Sequence, residues 1–200
     1  MALDILDVRR PKRATRADAA DLADLIVIAG EGLPLVIWEG MREPGETAMD
    51  VGRRRAEREE GGFSFRNALV IRDRGRAVSA LVSYPLTAPT TDSDLQAAPA
   101  VFRPLLVLEN ALTPSWYVNV LATRESARRQ GCALRLLDEA ETLARRAGHD
   151  RLTLITADIN PARGLYERFG FRERTRAPIV TDTWRHEGEV WIAYEKPLDP

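Results

Sequence analysis

From Trp116 onward the chain alternates strand and helix with little slack between them, and that rhythm constrains the fold more than any other feature. Trp116 to Ala122 is the strongest strand run, Trp-Tyr-Val-Asn-Val-Leu-Ala. Cys132 to Ala147 is the strongest helix. Its Leu134, Leu137, Ala140, Leu143, Ala144 and Ala147 recur at helical spacing, and Gly148 supplies a C-cap. Arg151 to Ala157 reads as another strand, Pro161 to Phe169 as a short helix ended by Gly170, and Val190 to Glu195 as a last strand. Strand, helix and strand in that order imply a βαβ unit and an α/β domain.

The N-terminal half gives weaker signals. A first strand is expected near Val8 to Ala14. Thr15 and Asp18 have capping-box spacing ahead of Ala19, Leu22, Ala23, Leu25 and Ile26, which recur as on a helix face. Gly30, Gly32 and Pro34 interrupt that run, and Leu35 to Met41 opens a second helix. Gly45 to Gly61 reads as a solvated helix. Its Arg53–Glu60 run of alternating sign fits a water-facing side laced with i,i+4 pairs, with a phosphate or partner site as the lesser alternative. Residues 67–72 and 76–84 flank Asp73-Arg74-Gly75 as a hairpin. Pro85 to Pro99 is a polar connection, and Val101 to Leu108 a short apolar segment before Glu109, Asn110 and the Pro114 break.

Composition narrows the function classes. The 200 residues suit one domain, and hydrophobic and charged fractions of 44% and 30% are those of an ordinary globular protein. Lys and Arg total 29 against 30 Asp and Glu, so no large basic field is available for nucleic acid. Cys132 is the only cysteine, which excludes an internal disulfide and a thiolate-rich metal site; with His149 and His186 the only histidines, no metal is expected. No apolar leader and no membrane-length apolar run stand out, so the expectation is a cytoplasmic protein with neither membrane nor nucleic acid among its partners.

The chemistry concentrates after the strongest strand. Arg128-x-x-Gly131-x-Ala133 lies in a short loop that opens the long helix. Small residues at a helix start let several N–H groups converge on one spot, and the partial positive charge of the helix end adds to them. Such a turn suits a pyrophosphate, each charge-assisted contact contributing roughly 1.5 to 3 kcal/mol. Neither the lysine-containing phosphate loop nor Gly-x-Gly-x-x-Gly is present, and the motif alone is also compatible with tight packing. One strand beyond the helix comes Asn160-Pro-Ala162-Arg-Gly-Leu165-Tyr166-Glu-Arg-Phe-Gly170-Phe171.

These two stretches, in this order and spacing, resemble the signature regions of the GNAT superfamily of acyl-CoA-dependent N-acyltransferases, namely the Arg/Gln-x-x-Gly-x-Gly/Ala loop and the Asn…Ala-x-x-Leu-Tyr-x-x-x-Gly-Phe segment. The resemblance covers residues 116–171 and implies a central mixed, mostly antiparallel sheet of six or seven strands, splayed between two central parallel strands and flanked by helices. It further implies a single domain over residues 1–200, with an insertion at about 85–115. Pantetheine would lie against strand 116–123, paired with backbone groups around Leu121, Ala122 and Thr123. The amides of Arg129, Gly131, Cys132, Ala133 and Leu134 would bind the pyrophosphate, with Arg128 beside it. Asn160 would hydrogen-bond the cofactor, although it stands two residues before Ala162 where three is common. Tyr166 would protonate the leaving thiolate.

The activity so implied is transfer of an acetyl group from acetyl-CoA, the cosubstrate, to an amine, with a non-catalytic CoA-binding module of the same fold as the alternative. The amine must arrive neutral, which calls for a general base or a water relay. Glu109 is the favoured base, and Glu31 and Glu39 are the other candidates. Asn119 cannot be a base but can hold a water or a substrate carbonyl. Small-molecule amines and peptide amines are both open as acceptors. Glu31, Glu39, Glu43 and Glu46 hint at a cationic amine, and a homodimer is possible. Cys132 is expected to be an inert small side chain, and Trp184, His186 and Trp191 an aromatic hairpin packed on the sheet.

Overall fold

The computed structural model describes residues 10–199. Seven strands form one mixed sheet in the order β1-β2-β3-β4-β5-β7-β6. They are β1 (Lys12–Arg13), β2 (Ala68–Asp73), β3 (Arg76–Leu86), β4 (Ser115–Thr123), β5 (Arg151–Ala157), β6 (Arg172–Pro178) and β7 (Val190–Pro197). Seven α-helices accompany them among the described residues: α1 (Ala19–Ala29), α2 (Leu33–Glu39), α3 (Ala48–Ala56), α4 (Asp92–Ala97), α5 (Arg103–Leu112), α6 (Cys132–Arg146) and α7 (Arg163–Phe169). Among the described residues no helix is long and apolar enough to cross a membrane. The β4–β5 pair is parallel, whereas β1–β2, β2–β3, β5–β7 and β6–β7 are antiparallel.

The chain divides into two compact units. The first takes in the described residues up to Ser83 together with Asn119–Ala140. Here β2 and β3 join through Arg74 and Gly75, whose φ angles of 48° and 83° are the positive values a two-residue hairpin turn needs. Helix α1 buries Leu22, Ala23, Leu25 and Ile26, as its spacing requires. Trp38 of α2 is 1% exposed and lies so close to α3 that a Cβ on Gly52 would come within 2.3 Å of its ring. The expected capping box forms: the amide and hydroxyl of Thr15 both donate to Asp18, at 2.7 and 2.9 Å.

Two expectations fail in this unit. Helix α3 ends at Ala56, so the Arg53–Glu60 run is only half helical, and its ion pairs are not of i,i+4 type. On α6, Leu134 is 44% exposed and Leu136 is buried instead, so the core-facing stripe runs through Cys132, Leu136, Leu137 and Ala140. The described part of the predicted first strand is only Lys12–Arg13; Val8 and Arg9 lie outside the described residues.

The second unit takes in Tyr84–Val118 and the described residues from Glu141. Residues 85–115, expected as an insertion made of a polar connection to Pro99 and a short apolar segment from Val101, carry two helices, and α5 packs on β5, β6 and β7. Strand β6 has no counterpart in the sequence reading; its Arg-Glu-Arg-Thr-Arg-Ala-Pro sequence is that of a charged edge strand. At its inner side β7 pairs with β5 from Arg151↔Pro197 to Ala157↔Trp191. Trp184, His186 and Trp191 stack, with Trp184 and Trp191 at 5.8 Å and 2° and each 6% exposed, so the hairpin aromatics are packed as expected. His149 is half-buried and meets the Trp116 ring edge-on at 5.7 Å.

Candidate active site

In the first unit the chain leaves β4 at Thr123 and is clamped at once. Arg124 donates its amide to Val78 at 2.8 Å and its Nε to the Ala77 carbonyl at 3.1 Å. Its Nη2 reaches Asp21 at 3.0 Å and Asp24 at 2.8 Å, both on α1. A short 3-10 turn, Glu125–Ala127, follows. Arg129 and Gly131 then take positive φ, 57° and 79°. A Cβ on Gly131 would meet nothing within 4 Å, so its backbone angle, not crowding, is what glycine serves here.

Those angles turn the chain into α6 with its amides unspent. Among the described residues, none of the N–H groups of Arg129, Gln130, Gly131, Cys132, Ala133 and Leu134 has a protein acceptor, and the first to find one is Arg135, on the Gly131 carbonyl at 3.2 Å. The side chain of Cys132 is buried in the core, as expected of an inert residue. Arg128 lies back on the turn, its Nε 3.4 Å from the Thr123 carbonyl. On β4 the Ala122 carbonyl accepts from Ser79 Oγ at 2.7 Å, and Thr123 Oγ1 lies 2.8 Å from the same hydroxyl. Leu121 and Asn119 are partly exposed. The ladder between β4 and β5 holds for three residue pairs, Trp116↔Leu152 to Val118↔Leu154, and no further.

The second unit carries the titratable groups. Glu109 lies on α5. Burial pushes its carboxyl up to about 7, while a hydrogen bond from the Tyr117 phenol opposes that rise. Tyr117 is 3% exposed and meets Tyr84 edge-on at 5.9 Å. Burial, the Glu109 carboxylate and Tyr84 together drive the Tyr117 phenol well above its usual range, so it stays protonated and donates. Neither tyrosine was visible as a partner from sequence. The available signal was strand alternation, which puts Tyr117 on the same side of β4 as Asn119, eight residues beyond Glu109 across a turn.

The other expected residues separate by role. Tyr166 sits on α7, 6% exposed, edge-on to Phe171 at 6.1 Å. Asn160 accepts the Ala162 amide on Oδ1 at 2.8 Å, which caps the approach to α7. Of the alternative bases, Glu39 is exposed and paired with Arg42 at 2.7 Å. Glu46 is bound by Arg54 at 2.9 Å, and Glu43 lies 3.9 Å from the same arginine, so these acids are not a free field for a cation.

Comparison with known proteins identifies the family and the fold. The model of the acetyltransferase (GNAT) family matches residues 58–171. No curated protein matches the chain. Among solved structures, an acetyltransferase is similar at a TM-score of 0.63 and 20% identity, covering 94% of this chain and 99% of that one. The polyamine N-acetyltransferase of Drosophila melanogaster, an enzyme that forms N-acetylagmatine, is similar at 0.65 and 16%, covering 94% and 99%. A mosquito arylalkylamine N-acetyltransferase-like protein, 5b, is similar at 0.65 and 15%, covering 93% and 98%. At those identities the structures speak for the fold. The family match spans more than half of the chain and takes in both signature stretches, so this protein is an enzyme of the GNAT acetyltransferase family.

Proposed function

We propose that the chain is an N-acetyltransferase that moves the acetyl group of acetyl-CoA to the primary amine of an acceptor by direct attack on the thioester. The observation that carries this reading is the run of amides from residue 129 to 134 that find no acceptor among the described residues at the head of α6. Diphosphate oxygens are the acceptors such a turn lacks, and the helix end favours their charge. Arg129, Gly131, Cys132, Ala133 and Leu134 would hold the pyrophosphate, with Arg128 beside it. Backbone groups of Leu121, Ala122 and Thr123 would pair with the pantetheine, and Asn160 would hydrogen-bond the cofactor through the donors of its carboxamide. When bound, the cosubstrate supplies an acyl carbon activated by a sulfur leaving group.

Glu109 takes the proton from the incoming ammonium, directly or through a water; a carboxylate that titrates near neutrality is matched to that task. Tyr117 holds its carboxylate by hydrogen bond. Asn119 positions a water or the acyl carbonyl. Tyr166 delivers its phenolic proton to the departing sulfur. Similar folds named as polyamine and agmatine N-acetyltransferases support a small amine as acceptor.

Calorimetry with CoA tests the cofactor placement. Gly131→Glu puts a carboxylate, strained at φ 79°, into the anion site, and binding is expected to vanish. Wild-type affinity in that variant would remove the pyrophosphate from this loop. Tyr166→Phe is expected to lower kcat more than it raises KM for acetyl-CoA; an unchanged kcat would remove Tyr166 as the acid.

A further inference from the structure

Outside the groups used above, the least compensated charge lies just past the middle of the Arg53–Glu60 run. Arg53 is 3.7 Å from Asp50, and Arg54 is held by Glu46. Arg55 is different. Its Nε is buried with no hydrogen-bond partner. Its guanidinium carbon lies 5.5 Å from the centre of the Phe63 ring, and Nη1 has only the Met41 sulfur, at 3.7 Å. Among the described residues neither Arg55 nor Arg58 has a carboxylate within ion-pair distance, although Glu57, Glu59 and Glu60 are close in sequence; Glu59 is taken by Arg16 and Arg66.

A guanidinium partly out of water, beside a second cation and with no counter-charge, is a costly arrangement. Burial lowers the affinity of Arg55 for its proton, and Arg58 and Arg54 lower it further. Contact with an aromatic face and a thioether offsets only part of that cost. Among the described residues no further partner is at hand for Arg55 or Arg58. Met41 is 44% exposed, so the approach from solvent is not sealed. An anionic oxygen group brought to Arg55, with Arg58 as the neighbouring cation, would relieve desolvation and mutual repulsion together.

We propose that Arg55 and Arg58 form a recognition point for one anionic oxygen group, a carboxylate or a phosphate, carried by a small molecule that this enzyme binds. The site stands on the arginines themselves and does not depend on the catalytic roles proposed above.

The test follows the Arg55 Nε–Hε resonance by nitrogen-15 NMR during titration with sodium phosphate and, separately, sodium acetate, with ionic strength held by chloride. A saturable shift at Arg55 in at least one titration is expected, weakened about fivefold or more in Arg58→Gln. A linear response no larger than that of exposed Arg176, or the same saturable binding in Arg58→Gln, would overturn the proposal. Arg55→Gln, checked by circular dichroism for an unchanged fold, then identifies the source. If it weakens CoA but not dephospho-CoA, the anion is the cofactor's own phosphate. If it abolishes the saturable phosphate or acetate response at the Arg58 Nε–Hε resonance and leaves both cofactor affinities unchanged, the anion belongs to the acceptor.

Discussion

Asp18, where α1 meets β2, and Glu109, where α5 meets β4, are both carboxylates taken largely out of water, yet they are driven in opposite directions. Burial raises each of them. At Asp18 that push is overcome by hydrogen bonds from Arg72 and from the amide and hydroxyl of Thr15, and the carboxyl is held below its usual range. At Glu109 the only opposing contact is a neutral phenol, and the carboxyl rises to about 7. The contrast teaches that a fixed cation makes a buried acid structural, whereas a neutral donor leaves it able to exchange a proton near neutral pH.

The comparison can be broken most strongly at Asp18. Asp18→Asn leaves Arg72 facing a neutral amide, and urea unfolding is expected to show a loss of about 3 kcal/mol. A loss too small to measure would mean that Arg72 is solvated and Asp18 is not structural. Glu109→Gln is expected to fold normally but to lose about 100-fold in kcat/KM, together with the acid limb of the pH–rate profile near 7. An intact acid limb would take Glu109 out of the reaction.

Smaller effects sharpen the same contrast. Tyr117→Phe removes the bond that restrains the rise of Glu109, so the acid limb should move to higher pH and the rate at neutral pH fall by up to about tenfold. Movement to lower pH would reverse the assigned role of the phenol. The two acids also predict opposite stability slopes. Asp18, whose pKa is depressed by folding, contributes stability above its unfolded value that is lost as pH falls through the folded one. Glu109, whose pKa is raised, carries its full stability below its unfolded value and loses it as pH rises toward and past 7. Glu109→Gln should therefore raise Tm at pH 8.5 and leave it nearly unchanged at pH 5.

Much of the cofactor side was legible because its determinants are local. The extent of α6, the glycine in a left-handed turn at residue 131 and the end of β4 all lie within about one helix of sequence and fold as read, although the buried stripe of α6 takes Leu136 in place of Leu134. The clamp by Arg124 was not legible, because Asp21 and Asp24 are about a hundred residues away. Strand β6 was missed because a sheet edge tolerates the charges that a strand pattern excludes. Helix α5 was read as a short apolar segment, since Pro104 and Asn110 mask its periodicity. The residue Glu109 could be nominated from its position before β4, but its proton affinity could not. That property comes from burial, restrained by the Tyr117 hydrogen bond, and tertiary packing alone creates both.

The most direct test is carboxyl carbon-13 NMR of the two side chains across a pH titration of the intact protein, assigned with Asp18→Asn and Glu109→Gln. The account predicts that Asp18 titrates below the ordinary aspartate range and Glu109 at about 7. A Glu109 resonance that titrates with the exposed glutamates would contradict it, because the group proposed to take the amine's proton would then be an ordinary surface acid.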